Sequence, residues 1–368
     1  MPSGIRRTVG QLLIGSLPGT SIPAELRSLA REFGLGGVIL FARNIEAPEQ
    51  VAELAHDLQT LATELPLWVS VDQEGGRVAR LKAPFTEWPP MAVLGRSGDA
   101  GLASRFAAAL AAELRAVGIT LDYAPVLDIH TNPKNPVIGD RALAEDAETV
   151  ARLGAAIIRG LQGHGVAACG KHFPGHGDTS VDSHLELPIV EHPPDRIRRV
   201  ECVPFRAAID ADVAFIMTAH VLVPSLDEEH PATLSRRIVY DLLRDELGFG
   251  GVILSDDLEM QAVAATYTVA DAAVQAIAAG CDGVLVCRAQ VEDRTRDIDV
   301  QAEALEALVH AVEDGRIPYA RLDDALTRQR RAKERFLTTP VAVVARQLRQ
   351  VVGCDAHVRI AEEMARYL

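Results

Sequence analysis

Five stretches of the 368-residue chain place charged or hydrogen-bonding side chains directly behind apolar runs. Asp72-Gln73-Glu74-Gly75-Gly76-Arg77, with Arg80 just beyond, closes the run from Leu67. Asp128 closes Ile119–Asp128, and the segment after it carries Asn132, Asn135, Asp140 and Arg141. Lys171-His172 closes the run from Val166 and leads into Phe173-Pro174-Gly175-His176-Gly177-Asp178-Thr179. Thr218-Ala219-His220 and Ser255-Asp256-Asp257 close two more. Charge at the end of an apolar strand is costly to desolvate unless it is paired or functional. One such end is explained by a structural ion pair; five that converge on one rim imply a pocket for a polar ligand.

Asp256 could cap the helical stretch Leu258–Ala264, but Asp257 fills that role equally well, which frees the Asp256 carboxylate to face the ligand. Lys171 and His172 are neighbours, so in regular extended chain they face opposite ways. No second His or carboxylate follows at a spacing of three or four on a helix, so the two read as hydrogen-bond donors to ligand hydroxyls rather than a metal pair. Asp182 and His184 lie two apart and share a face if extended, as a carboxylate that orients an imidazole would. A surface histidine beside a turn-forming aspartate fits that pair equally well.

These residues must be carried by elements that bring them to one place. Eight short apolar runs recur along the chain: Gln11–Gly15, Gly36–Phe41, Leu67–Asp72, Ile119–Asp128, Val166–Lys171, Ala214–His220, Gly251–Asp256 and Asp282–Cys287. They are near-continuously apolar, as parallel strands buried on both faces are. Helical patterns lie between them, including Ala103–Val117, Ala147–Gln162, Thr268–Ala279 and Val300–Glu313. Eight β-then-α units predict a (β/α)₈ barrel, whose chemistry sits at the C-terminal ends of the strands. An open, doubly wound dinucleotide-binding sheet would need a G-x-G-x-x-G turn after its first strand, and none is present. Thr338-Thr339-Pro340 breaks a helix ending near Phe336. Residues 1–336 are therefore expected to form one catalytic barrel, and 337–368 a helical extension packed on it.

Composition narrows the ligand. The formal charge of −14 disfavours nucleic acid and anionic membranes, yet is indifferent to a neutral small molecule. Five cysteines, an odd number without a CxxC pair, read as buried small hydrophobes in a reducing compartment rather than disulfides or metal ligands. No apolar run reaches membrane-spanning length, and Val9–Gly15 reads as a strand rather than a signal peptide. We expect a monomeric cytoplasmic protein without metal or cofactor.

At the segments quoted, and at Gly36-Gly37-Val38-Ile39-Leu40-Phe41-Ala42-Arg43-Asn44, Asn135-Pro136-Val137-Ile138-Gly139-Asp140-Arg141 and Met217-Thr218-Ala219-His220, the chain resembles family 3 glycoside hydrolases. More narrowly, it resembles the bacterial β-N-acetylglucosaminidases of peptidoglycan recycling. The likeness runs from about Val9 to Phe336 and its motifs are long and ordered. It implies a retaining mechanism with Asp256 as nucleophile and a His184/Asp182 acid/base dyad. It also implies N-acetylglucosamine contacts from Asp72, Arg80, Arg141, Lys171 and His172. The family's two-domain β-glucosidases draw a glutamate acid from a second domain, for which the chain beyond Phe336 is too short. Glu186 and Glu259 stand where smaller or less charged residues would be expected. The implied substrate is a muropeptide-derived disaccharide, N-acetylglucosaminyl-β-1,4-anhydro-N-acetylmuramic acid, with or without peptide. A phosphorylase, a β-glucosidase and a non-catalytic sugar-binding protein are the alternatives. Gly175 and Gly177 further suggest a mobile loop that carries His184 over the ligand on closing.

Overall fold

The computed structural model describes residues 2–180, 182–183, 186–287, 296–337 and 345–368. All eight predicted strands form: β1 (Leu13–Gly15), β2 (Gly37–Leu40), β3 (Trp68–Val71), β4 (Leu121–Asp122), β5 (Ala167–Phe173), β6 (Phe215–Thr218), β7 (Val252–Asp257) and β8 (Gly283–Leu285). Each pairs in parallel with the next, and β8 returns to β1 through Leu13↔Val284 and Ile14↔Leu285, which closes the barrel. The continuous apolar character of the strands follows from this closure. Trp68, Leu121, Phe215, Val252 and Leu254 fill the inside, while Val38, Val69, Ile216 and Ile253 meet the surrounding helices.

Two strand expectations need correction. Gln11 does not begin β1. It follows the helix Pro2–Gly10, and its side-chain amide donates to the Gly34 and Leu35 carbonyls. Ile119–Asp128 is not one long strand. Pro125 has no N–H to give, so the ladder stops at Asp122; Val126 resumes as a single bridge to Lys171. The helices lie close to their predicted spans, at Ala100–Ala116, Ala147–Gly163, Val269–Ala279 and Asp297–Glu313. Asp146 caps the second by accepting the Thr149 N–H at 2.8 Å.

The helix Tyr319–Phe336 seals the N-terminal end of the barrel. Phe336 packs on Trp68, and Gln329 links the Trp68 indole to the Asp282 carbonyl. Lys333, fully buried, donates to Gln11 Oε1 at 2.8 Å and to the Gly36 carbonyl at 2.9 Å. With that end plugged, the opposite end is left for a ligand. Beyond it, Ala345–Val351 and Asp355–Ala365 pack against Ala100–Ala116. Glu113, buried in that helix, accepts from Thr86, from the Gly353 N–H and from His357 Nδ1. None of the five cysteines is in a disulfide. Among the described residues, no helix is long and apolar enough to cross a membrane.

Candidate active site

A cavity of about 230 Å³ opens at the C-terminal ends of the strands. Asp72, Arg80, Arg141, Lys171, His172, Asp182 and Asp256 all line it, so the structure brings these sequence-predicted residues together. His184 lies outside the described residues. The apolar wall comes from Phe41, Tyr123, Met217, Met260 and Leu285.

The charged wall is a network assembled from three strand ends. Lys171 Nζ, at the end of β5, lies 2.8 Å from Asp72 Oδ1 and 2.7 Å from Glu74 Oε1, both from the end of β3. Arg141, from the loop after β4, grips Glu74 with two bonds of 2.8 and 2.9 Å. Arg80 approaches the other oxygen of Asp72 at 3.4 Å. Burial alone would push both carboxyls up. The Lys171 and Arg141 cations, with Arg80 at Asp72, overcome it and hold both below the usual carboxylate range. Asp122, buried beside them, forms no ion pair among the described residues; burial drives its carboxyl well above the ordinary value. It accepts the Gln73 N–H at 2.9 Å, which fixes the turn between Asp72 and Glu74.

Lys171 and His172 both face the cavity, against the expectation that neighbours in a strand point apart. The pairing register of β5 shifts between Gly170 and Phe173, so alternation fails there; the peptide bond joining the two residues is cis. His172 Nδ1 lies 2.7 Å from Asp128 Oδ2. Asp128 also accepts the His176 N–H at 2.7 Å and is fully buried. The segment beyond is tied to the β4 loop, since Asn135 Nδ2 donates to the His176 carbonyl and to Thr179 Oγ1. Gly177 answers a close approach: a Cβ there would lie 1.7 Å from the Ile129 carbonyl oxygen.

Asp256 ends β7. Its one hydrogen bond among the described residues comes from the N–H of Asp257, at 2.8 Å. Asp257 is not a helix cap, because the following helix begins at Gln261. It accepts instead from the N–H groups of Glu259 and Cys287, which couples β7 to β8. The end of β6 also departs from expectation. Thr218 bonds Thr233, and His220 is buried between Thr233 Oγ1 and the Asp257 carbonyl, so of that strand it is Met217 that lines the cavity. Burial lowers the His220 ring below the ordinary histidine value, despite the nearby Asp256 carboxylate. Glu186 is exposed and Glu259 partly so. Among the described residues no cluster of His, Cys, Asp and Glu could hold a metal ion.

The sequence pointed to seven residues that line the cavity but assigned no role to Glu74 or Asp128. The signal was present for Glu74, which lies two residues from Asp72 and is the carboxylate that buried Lys171 and Arg141 require.

Residues 5–332 match the model of the glycosyl hydrolase family 3 N-terminal domain. A protein from Nitrosomonas eutropha described as a beta-hexosaminidase is 42% identical over 285 residues, covering 76% of this chain and 81% of that protein. The solved structure of a family 3 beta-N-acetylglucosaminidase from a Paenibacillus species matches with a TM-score of 0.91 at 42% identity, over 98% of this chain and 68% of that one. NagZ from Neisseria gonorrhoeae, solved in complex with N-trifluoroacetyl-D-glucosamine, matches with a TM-score of 0.74 at 31% identity, over 95% and 97% of the two chains. The barrel, its polar mouth and these matches agree: the chain is a glycoside hydrolase and belongs to glycosyl hydrolase family 3.

Proposed function

We propose that this enzyme is a retaining exo-β-N-acetylglucosaminidase that releases terminal N-acetylglucosamine through a glycosyl-enzyme intermediate on Asp256. The observation that carries the reading is the contrast among the cavity's carboxylates. Asp72 and Glu74 are engaged by buried cations, whereas among the described residues the Asp256 carboxylate holds a single backbone hydrogen bond at the rim. A carboxylate so lightly held keeps the electron density a nucleophile needs. The cavity, about 230 Å³, falls below the roughly 300–1,000 Å³ of sites for drug-sized ligands, which suits one sugar ring and hence exo action.

In the first step a carboxylate oxygen of Asp256 bonds to the anomeric carbon as the glycosidic bond breaks. His184 gives its proton to the departing oxygen. In the second, His184 takes a proton from water, whose oxygen displaces Asp256 from the anomeric carbon. Two inversions leave the configuration unchanged, and the histidine ends as it began. Asp182, on the cavity wall, orients the His184 ring. Asp72, Arg80, Arg141, Lys171 and His172 bind the sugar. The scheme balances without metal or cofactor.

For the substrate we favour the cytosolic disaccharide N-acetylglucosaminyl-β-1,4-anhydro-N-acetylmuramic acid, with or without peptide, acted on by a monomer. Residues 1–336 are the catalytic unit and 337–368 its helical support. The matched NagZ structure holds an N-acylated glucosamine, which supports the N-acetylglucosamine half of the substrate. The test is kinetics on an aryl N-acetylglucosaminide, with and without phosphate, for the wild type and Asp256→Ala. Turnover should be independent of phosphate, and the variant should lose it while keeping its melting temperature. Near-normal activity of the variant would refute the nucleophile. Comparison of the anhydro-disaccharide with chitobiose then decides the aglycone: strong preference for chitobiose would move the enzyme to chitin-oligosaccharide metabolism.

A further inference from the structure

Between the two residues assigned to the acid/base dyad lies one that the mechanism does not use. Ser183 is buried, at 2% exposure, although it sits in a loop at the rim of an open cavity. Its carbonyl accepts the Ala262 N–H at 3.1 Å, from the first turn after the nucleophile strand. Its hydroxyl lies 3.1 Å from His176 Nε2. The preceding residue is also held, since the Asp182 carbonyl accepts the Glu186 N–H at 3.1 Å.

His176 in turn is fixed on every side. Its N–H donates to Asp128, its carbonyl accepts from Asn135, and its Nδ1 lies 2.7 Å from Thr179 Oγ1. Burial lowers its ring to about 4, so above that pH it is neutral and has one ring hydrogen. Thr179 Oγ1 is positioned to donate to the His176 carbonyl, at 3.1 Å. Its single hydrogen placed there, it must accept from Nδ1–H. Nε2 is then a bare lone pair, and the Ser183 hydroxyl donates to it. The ring thus offers Ser183 one acceptor in one direction.

We infer that His176 and Ser183 are positioning residues for proton transfer: the His176 imidazole, anchored through Asp128 and Thr179, holds the Ser183 hydroxyl and so sets where the chain carries Asp182 and His184. The inference rests on the assignment of those two as the acid/base dyad. The same Asp128 orients His172, so the sugar-binding histidine and the proton-transfer segment share one buried anchor.

The distinguishing experiment is the dependence of kcat/KM on leaving-group pKa, measured with aryl N-acetylglucosaminides for the wild type, Ser183→Ala and His184→Ala. A misplaced acid hinders departure of a poor leaving group and hardly affects a good one. The slope across the series is also insensitive to how much of the enzyme is folded, so a merely structural defect would not change it. Ser183→Ala should lose roughly ten- to a hundredfold on the poorest leaving group and roughly twofold or less on the best, the scale expected of a catalytic group displaced by about 1 Å. His184→Ala should show the same pattern more steeply. A wild-type slope in Ser183→Ala beside a steep one in His184→Ala would overturn the positioning role and leave the acid assignment standing. A uniform loss in Ser183→Ala would overturn it likewise. A wild-type slope in His184→Ala would overturn the acid assignment and this inference with it.

Discussion

Asp128→Asn tests how the site presents its hydrogen bonds to the sugar. The carboxylate of Asp128 only accepts, so His172 Nδ1, 2.7 Å from Oδ2, must carry a hydrogen. If the ring bears only that hydrogen, Nε2 faces the cavity as an acceptor for a sugar hydroxyl, not as the donor expected from the sequence. Asparagine has one oxygen and one NH₂ where aspartate has two oxygens. The oxygen must go to the His176 backbone N–H, 2.7 Å from Oδ1, because that donor cannot invert. The NH₂ therefore faces His172 Nδ1 and forces the hydrogen onto Nε2. The cavity gains a donor where it had an acceptor, at one point and with little change in shape. Losing one hydrogen bond and opposing two donors costs about 1–3 kcal/mol, or roughly 5- to 150-fold in affinity. The assay is KM for an aryl N-acetylglucosaminide, with inhibition by free N-acetylglucosamine as a binding readout that chemistry does not touch. A melting curve verifies the fold. Binding within twofold of wild type would refute the claim that a neutral His172 accepts from the sugar.

Two further outcomes are expected away from the cavity. Burial lowers Lys333 from the ordinary 10.5 to about 7, so between those values the unfolded chain binds more protons than the folded one, and this group makes stability rise with pH from about 7 to about 10.5. In Lys333→Met that contribution vanishes: the stability of wild type relative to the variant should climb by a few kcal/mol across the window in chemical denaturation, and a constant difference would mean that Gln11 and Gly36 satisfy an ammonium. Glu113→Ala leaves the Thr86 and Gly353 N–H groups without their acceptor and should cost roughly 2–4 kcal/mol of stability, read by thermal denaturation, with kcat unchanged below the melting point. A fall in kcat at full folding would show that the C-terminal helices act on the site.

What was legible in the sequence, and what was not, divides by the distance over which each feature is decided. The eight strands are written locally, as apolar runs that a doubly covered sheet requires. Pro125 was also in view, and its missing N–H accounts for the short β4. The polar residues at strand ends pointed to the cavity because a barrel sends every strand end to one face. Partnerships were another matter. That Glu74 would meet Arg141 and Lys171, and that Asp128 would serve both His172 and His176, depends on barrel closure between residues 44 to 97 positions apart. No local periodicity encodes that. Strand six shows the converse error. Thr218 and His220 looked like rim residues by position, but Thr233 gives them buried partners.

The donor count in the charged wall limits what these residues can do for a sugar. Lys171 has three hydrogens, and Asp72 and Glu74 take two of them. Of the five on Arg141, two go to Glu74 and one to the Val137 carbonyl. Among the described residues, one hydrogen on Lys171 and two on Arg141 have no partner and could meet a ligand. Their directions are set before it arrives, since the bonds already made fix the ammonium rotor and the guanidinium plane. A side chain held in this way loses little freedom on binding, so more of the interaction is realised as affinity and orientation. The buried carboxyl groups thus shape the wall: Glu74 holds both cations, and Asp122 holds the turn that keeps Asp72 and Glu74 aimed at Lys171. Asp256 stands apart from these ion pairs, so under the proposed mechanism the prearranged cations would hold the sugar with its anomeric carbon toward that carboxylate.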